Sequence, residues 1–206
     1  MVKTILGRKL GMTQIWAEGD RLVPVTVIEA GPCTITQIKT KANDGYDAVQ
    51  LGFEEKKKNR VTKPLTGHFA KSGDKCFRVL CEFRVENPDE FKLGQELKID
   101  MFKVGDKVAI SGRTKGRGFS GTIKRHGFHR GPKTHGSKNY REPGSIGQNT
   151  WPARVVKGKR LPGRYGNTRV KMPSLEIVDI RPNENLLLVK GAVPGPASGT
   201  VEIAKM

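Results

Sequence analysis

Three glycines in the spacing G-x-G-x-x-G, namely Gly116, Gly118 and Gly121, are the residues whose spacing most suggests phosphate chemistry. Within a βαβ unit, such glycines let the backbone approach a dinucleotide at the start of a helix. Here residues 122–127 combine β-branched side chains with a closing glycine, which does not favour that helix, and no βαβ pattern surrounds them. The sequence therefore predicts a bare backbone that lies close to phosphates, with nearby cations supplying the charge.

Metal and catalytic chemistry have little support in the sequence. His126, His129 and His135 have no nearby cysteine or acid to complete a zinc site, and the surrounding positive charge opposes a metal cation. Acids occur singly or as pairs such as Glu54 and Glu55, which are typical of a solvated surface and not of an acid–base catalyst. We predict no catalytic residue, no metal and no cofactor, and hence no enzyme.

Positive charge is the dominant feature of the sequence. The 206 residues contain 38 Lys and Arg against 20 Asp and Glu, which gives a net charge of +18. Sixteen of the basic residues and a single acid, Glu142, fall within residues 113–171, so this segment alone carries +15. Such a charge repels itself in a compact state and calls for a polyanionic partner, of which nucleic acid is the commonest.

Aromatic residues are interleaved with the cations of this segment: Phe119, Phe128, Tyr140, Trp151 and Tyr165. Flat rings between cations suit stacking on the unpaired bases of structured RNA, although we expect two of the five, those nearest the ends, to pack within the protein. The sequence contains no helix-turn-helix pattern, so it does not indicate a DNA-reading module of that kind. The predicted RNA-binding residues are Arg113, Lys115, Arg117, Lys124, Arg125, His126, Arg130, Lys133, His135, Lys138, Arg141, Trp151, Arg154, Lys157, Lys159, Arg160, Arg164 and Arg169.

The middle of the segment is different. Residues 143–152, PGSIGQNTWP, carry no charge and contain two glycines and two prolines. If the chain doubles back there, it forms a neutral tip on two basic arms, which could pass phosphates and present polar groups inside an RNA.

The flanking sequence positions this segment. Short runs rich in Val, Ile, Leu and Phe, separated by turn residues, predict a mainly β protein with a closed antiparallel β-barrel. We assign residues 1–112 and 172–206 to the barrel domain, with a small α+β insertion at about 45–95 that contains a helix over Lys63–Lys71, and residues 113–171 to a long irregular basic loop. The predicted strands are Arg21–Ala30, Cys33–Lys39, Asp47–Phe53, Cys76–Val85, Lys107–Ser111, Leu175–Ile180, Asn185–Lys190 and Thr200–Ile203.

The three cysteines bear on the compartment. Cys33, Cys76 and Cys81 cannot all pair and form no CxxC motif, so we predict free thiols in the core and a reducing, intracellular setting. A single Cys76–Cys81 bridge is the alternative. No apolar run reaches the ~18–20 residues of a membrane helix, and charges near the N-terminus interrupt any signal-peptide core.

Several motifs resemble one known family, and the resemblance runs essentially from end to end. They include GRKLGMTQIW at residues 7–16, NRVTKPLTGHFAK at 59–71, TKGRGFSGTIKRHGF at 114–128 and REPGSIGQNTWPARVVKGKRLPGRYGN at 141–167. This combination resembles the bacterial-type family of large-subunit ribosomal protein L-three. One position departs from the family signature, since Ala109 stands where the signature usually has Asp or Asn.

The resemblance implies a β-barrel of the translation-factor type at the surface of the large ribosomal subunit and a loop that reaches towards the peptidyl-transferase centre. It also implies rRNA binding, a role in nucleating early assembly, a cytoplasmic location and neighbours such as proteins L-fourteen and L-nineteen. Gln148 is the implied target of a glutamine methyltransferase, as a candidate N5-methylglutamine.

Two alternatives remain open from the residues. One is a free RNA-binding or RNA-chaperone protein that acts outside the ribosome. The other is a nucleotide-dependent enzyme built on the glycine pattern.

Overall fold

The computed structural model of the protein describes residues 4–17 and 20–206, and it divides at residues 113/114 and 168/169 into two units. We call residues up to 113 together with 169–206 the sheet unit, and residues 114–168 the basic unit. No helix within the described residues is both long and apolar enough to cross a membrane.

Strands dominate the secondary structure. The helices are α1 (Lys41–Asp44), α2 (Lys63–Ala70) and α3 (Thr122–His126). Single 3-10 turns cover Lys58–Arg60, Pro88–Glu90, Ile99–Met101 and Pro182–Glu184. The strands are β1 (Thr4–Ala17), β2 (Arg21–Ala30), β3 (Cys33–Lys39), β4 (Ala48–Glu55), β5 (Phe77–Arg84), β6 (Glu96–Leu97), β7 (Lys107–Arg113), β8 (Phe119–Ser120), β9 (Gly163–Arg164), β10 (Arg169–Arg181), β11 (Leu186–Lys190) and β12 (Thr200–Lys205).

The largest sheet contains six antiparallel strands in the order β1-β12-β7-β10-β11-β2, and β2 also pairs with β1. Apolar residues alternate along these strands, and their side chains point to one face of the sheet, where they form the core. Burial of that face fixes the register of the strands, because a shift by one residue would expose the whole apolar set. Each strand contributes a side chain that is at most 1% exposed: Ile5, Ile28, Ile110, Ile177, Leu187 and Ile203.

A second sheet has four antiparallel strands in the order β5-β4-β3-β6. Helix α2 belongs to the same region, and its Phe69 is fully buried with Cys76 and Phe77. The Phe69 and Phe77 rings meet edge to face with centroids 5.9 Å apart. The predicted helix over Lys63–Lys71 is confirmed, with Pro64 in its first turn as expected.

The predicted overall fold is wrong in how it arranges the sheets. The chain is mainly β, but β3, expected among the strands outside the insertion, pairs with β4 and β6 in the four-stranded sheet. That sheet therefore starts at Cys33 and not near residue 45. The segment predicted as an irregular loop contains a third, two-stranded sheet of β8 and β9 together with α3. A local run of apolar residues indicates a strand, but the strands that pair with it are determined by contacts distant in sequence.

Strand β1 was absent from the prediction, although its 14 residues make it the longest strand described. Glycines and basic residues interrupt its apolar pattern and hide it from a sequence-based search. Gly7 has a structural reason, because a Cβ at this position would lie 2.9 Å from the carbonyl oxygen of Glu29 on β2. The close approach of β1 and β2 at this point therefore requires a residue without a side chain.

The cysteines are free thiols within the described residues, as predicted. Cys33 and Cys76 are buried, and Cys81 is half-buried on β5. Burial raises the pKa of the Cys33 thiol to about 12, because the thiolate would lose its hydration in the core. These cysteines act as small core residues.

We predict opposite effects for alanine at two glycines of the four-stranded region. At Gly52, a Cβ would lie 2.5 Å from Cδ2 of Phe77 and 2.9 Å from Cγ2 of Thr36, so Gly52→Ala should lower the free energy of unfolding by ~1–3 kcal/mol. At Gly67 in α2, a Cβ meets open space, so Gly67→Ala should raise that free energy by about 0.5–1 kcal/mol.

Urea unfolding of the full chain, followed by circular dichroism, measures both changes. Equal shifts of the two variants in the same direction would contradict the described packing of β4 against β5.

Candidate RNA-binding unit

The two ends of the basic unit pair with each other. The amide of Thr114 donates to the carbonyl oxygen of Thr168 over 3.0 Å, and the amide of Arg117 donates to the carbonyl of Tyr165 over 2.9 Å. Strands β8 and β9 continue this pairing, with Phe119 opposite Arg164. The base of the unit is therefore an ordered antiparallel structure and not the irregular loop that was predicted.

The three glycines of the G-x-G-x-x-G pattern lie in this base. Helix α3 begins directly after Gly121, so the expectation that no helix is favoured there was wrong. The helix has only five residues and ends at His126. The next residue, Gly127, has a left-handed φ of 72°, and its amide donates to the carbonyl of Ile123. The preceding strand β8 has only two residues, and its partner β9 is antiparallel, so the arrangement is unlike a dinucleotide-binding βαβ unit.

Two predicted RNA-binding residues of α3 also hold the base together. The Nη1 of Arg125 donates to the carbonyl oxygen of Leu161 over 2.8 Å, and Nε2 of His126 contacts the same oxygen at 3.1 Å. Both side chains are half-buried. On the same arm, the guanidinium of Arg117 lies 5.1 Å from the ring centroid of Tyr165 on the opposite arm, a cation–π contact. These three residues therefore position the backbone, and two of them, Arg117 and Arg125, also carry charge.

Most other predicted residues are exposed to solvent. The exposed members of the basic unit besides Arg117 are Lys115, Lys124, Arg130, Lys133, His135, Lys138, Arg141, Trp151, Arg154, Lys157, Lys159, Arg160 and Arg164. Arg113 and Arg169 belong to the sheet unit, where they face each other across β7 and β10. Arg169 forms an ion pair with Glu202, which distinguishes it from the cations of the basic unit.

Ion pairing separates the two units. In the sheet unit, cations such as Lys39 and Lys205 bind acids, and these hydrogen bonds hold the pKa of Glu82 and of Asp106 below the usual range. The basic unit, all of whose residues the structure describes, has thirteen Lys and Arg, one acid, and no ion pair. Its positive charge is therefore uncompensated within the chain.

A cavity of about 340 Å³ lies among these cations. Arg130, Lys133 and Arg141 line it together with Tyr140 and Gly131. The amide of Gly131 donates to the carbonyl of Tyr140 over 3.1 Å, which brings the two chain segments together. Three cations around one aromatic ring can hold a phosphate and stack on a base at the same time.

The aromatic residues divide differently from the expectation. Phe119 and Trp151 are 80% and 83% exposed, and Tyr140 is also exposed. The two that pack within the unit are Phe128, beside His126, and Tyr165, beneath Arg117. The expectation that the two aromatic residues nearest the ends pack within the protein is therefore met by Tyr165 and wrong for Phe119, since Phe128 packs instead of Phe119.

The uncharged stretch has no packing of its own. Every residue from 141 to 151 is exposed, and the hydroxyl of Ser145 donates to the carbonyl of Gly147 over 3.0 Å. The side chain of Gln148 is accessible on this stretch. No group of three or more His, Cys, Asp or Glu that could hold a metal occurs within residues 4–17 and 20–206.

A second group of cations was not predicted. Lys56, Lys57, Arg60 and Lys63 of the sheet unit are exposed and have no acid partner among the described residues, whereas Lys58 pairs with Asp74. The run EEKKKNRVTK at residues 54–63 is visible in the sequence, but its two glutamates reduce the net charge of the window. In the structure both glutamates bind other cations, Arg78 and Lys75.

Comparisons with a family model and with individual known proteins identify the same family. Residues 82–186 match the family model described as ribosomal protein L3. A large ribosomal subunit protein uL3 from Desulforapulum autotrophicum is 58% identical over 205 residues, which cover 100% of this chain and 99% of that protein. Proteins with the same description from Syntrophobacter fumaroxidans and Thermotoga maritima are 54% and 57% identical, and they cover 100% and 98% of this chain.

The contact between Arg125 and Leu161 leads to a prediction about the base. Arg125→Ala removes the donor that holds the carbonyl of Leu161, so hydrogen exchange of the amides of Gly163 and Arg164 should accelerate at least ~10-fold, equivalent to about 1.5 kcal/mol for one hydrogen bond to a charged group. Lys124→Ala is the control, because Lys124 is exposed on the same helix. Equal exchange in both variants would show that Arg125 does not order the base.

Proposed function

Because the chain belongs to the family of ribosomal protein L3 and is a structural constituent of the large ribosomal subunit, we propose that its basic unit binds large-subunit rRNA. Proteins of this family are structural and are not enzymes. The large ribosomal subunit of bacteria is cytoplasmic, and the chain is assigned to that location.

Uncompensated charge is the observation that carries this proposal. The 55 residues of the basic unit include thirteen Lys and Arg and one acid, and twelve of the thirteen basic side chains are exposed. Cations without acid partners gain most from phosphates, since binding releases the counterions condensed on the nucleic acid. The exposed rings of Phe119, Tyr140 and Trp151 add surfaces on which unpaired bases can stack.

The neutral stretch gives the proposed interaction a direction. Residues 143–152 lack charge and lie between two basic arms, so phosphates can line the arms while the middle reaches a site where bases and not phosphates are exposed. We propose that this stretch extends towards the peptidyl-transferase centre. It offers no acid or base with a catalytic role there, so its contribution is to support the rRNA.

Assembly follows from the same properties. The base of the unit is held by its own hydrogen bonds, whereas residues 141–151 are all exposed and have no core to order them. We propose that this part becomes ordered when it binds rRNA and that binding occurs early, so that it nucleates folding of the large subunit. Proteins L-fourteen and L-nineteen are the proposed neighbours within that subunit.

Gln148 is the proposed modification site, with a glutamine methyltransferase as the enzyme. Its side-chain amide is exposed within the uncharged stretch, where an enzyme could reach it before assembly. Methylation removes one N–H donor while it retains the other, so it changes the hydrogen bonds available at the tip without a change of charge.

The salt dependence of rRNA binding tests the electrostatic proposal. If roughly ten cations contact phosphates, the logarithm of the association constant should fall with log salt at a slope of ~−7 or steeper. Replacing the cavity cations, Arg130→Gln, Lys133→Gln and Arg141→Gln together, should make that slope shallower by about 2, at roughly 0.7 per contact. Filter binding of the full chain to large-subunit rRNA across a salt series measures it.

A matched control replaces three cations that bind acids in the sheet unit. Lys58, Arg181 and Lys190 pair with Asp74, Asp179 and Glu176. Their triple replacement by Gln changes the net charge equally but should leave the slope within error. A slope that responds equally to both triples would mean that net charge alone, and not the basic unit, holds the RNA.

The modification has a direct test by mass spectrometry. Chain from cells that contain a glutamine methyltransferase should carry one added methyl group on the peptide that includes Gln148. Gln148→Asn should abolish the addition, whereas Gln95→Asn, at another exposed glutamine, should not. Methylation that persists in Gln148→Asn would assign the site elsewhere.

A further inference from the structure

Strands β1 and β2 extend beyond the six-stranded sheet as a two-stranded ribbon. They pair from Gly11 opposite Val27 to Ala17 opposite Arg21. Within the described residues, β12 pairs with β1 only over Thr4–Arg8, and β11 pairs with β2 only over Val25–Glu29. Residues 11–17 and 21–23 therefore have a neighbouring strand on one side only, whereas the carbonyl of Pro24 still accepts from the amide of Gly191 over 2.9 Å. An isolated two-stranded ribbon is at best marginally stable in water, so a partner would stabilise it.

The two faces of the ribbon can be read from its register. Residues directly opposite each other share a face, and faces alternate along each strand. On one face, Val25 is buried and Ile15 and Val23 are half-buried. This face carries the buried and half-buried apolar side chains of the ribbon, together with the exposed Thr13 and Arg21.

The other face should then be polar, as it is in most antiparallel sheets with one solvated side. It consists instead of Met12, Gln14 opposite Pro24, and Trp16 opposite Leu22. Met12, Trp16 and Leu22 are 52%, 72% and 48% exposed. We call these five residues the ribbon face. Thr26, which lies opposite Met12, is buried and donates to the carbonyl of Gly191, so the ribbon face ends there.

Charge determines what can cover the ribbon face. Residues 10–17 and 22–28 contain no Lys, Arg, Asp or Glu, although the chain as a whole carries +18. RNA binding requires cations beside the phosphates, and the ribbon face supplies none, since the exposed Arg21 belongs to the opposite face. Aliphatic side chains such as Met12 and Leu22 gain nothing from a phosphate surface. An uncharged apolar surface of another protein matches the ribbon face, because each side loses unfavourable contact with water and no charge is stranded.

Resting on the proposed place of the chain in the large ribosomal subunit, we propose that the ribbon face docks onto an apolar, uncharged surface of a neighbouring protein of that subunit. Met12, Gln14, Leu22 and Pro24, together with Thr13, border a shallow cavity of about 560 Å³, which has room for a side chain of the partner. Trp16 of the ribbon face, which is 72% exposed, is the expected anchor, since buried tryptophans dominate the energetics of protein interfaces.

Photo-crosslinking in assembled large subunits tests the proposal. A benzophenone amino acid in place of Met12 should crosslink to a ribosomal protein. The same probe in place of Arg21, which is exposed on the opposite face and does not border the cavity, is the matched control and should give at least ~5-fold less of that product. Trp16→Ser should lower the yield from the Met12 probe by a similar ~5-fold, as expected for removal of an interface anchor.

Each outcome is decisive. A protein crosslink that depends on the face and on Trp16 supports the proposal. Crosslinks to rRNA, crosslinks to a second copy of the chain, equal yields from both faces, or no product in subunits that contain the chain would overturn it. A probe in place of Trp151 in the same preparation tests rRNA binding by the basic unit separately. A crosslink from Trp151 without one from Met12 would leave the proposed function intact and refute the docking surface. Circular dichroism of Trp16→Ser controls for folding.

Discussion

Antiparallel pairing of β7 with β10 is the constraint on which the rest of the structure depends. β7 ends at Arg113 and β10 begins at Arg169, and these two residues are directly opposite each other. A segment of 55 residues with little apolar content therefore starts and finishes at adjacent positions of a sheet. Within the basic unit, Thr114 forms hydrogen bonds with Thr168 and β8 pairs with β9, so the two ends of this segment also pair with each other. The entropy of closing this long loop is largely met by the sheet, so the segment itself needs little core.

The positions of the acids determine which cations remain unpaired and available to bind phosphates. In the sheet unit, acids neutralise neighbouring cations, as Glu82 does for Lys39 and Asp106 does for Lys205. Such partly exposed pairs add little to stability, but each one leaves a cation with less to gain from a phosphate. The basic unit has one acid and no ion pair among its residues, all of which are described. Net charge therefore indicates binding only after it is divided along the chain and corrected for the pairs.

Local patterns carried the parts of the structure that sequence predicted well. Alternating apolar residues bounded by turns gave strand β2 at its observed limits, and Pro64 marked the start of α2. Contacts distant in sequence account for what was missed. The sheet to which β3 belongs depends on β4 and β6, and the glycines of β1 make sense only beside β2. Likewise, no local pattern indicates that Arg125 and His126 bind the carbonyl of Leu161, 36 and 35 residues further along the chain.

That contact changes how the cationic residues should be understood. Arg125 and His126 bind the backbone of the opposite arm, and Arg117 covers Tyr165, so their orientation is fixed before RNA arrives. The exposed cations further along the arms have no such fixed positions, because no acid among the described residues forms an ion pair with them. A protein that must enter a particular RNA needs both kinds: oriented residues at the base define the direction of entry, and unpaired residues beyond it adapt to the phosphates they meet. The ribbon face, which has neither kind of cation, is suited to a different class of partner, so one chain can contact RNA through one unit and protein through the other.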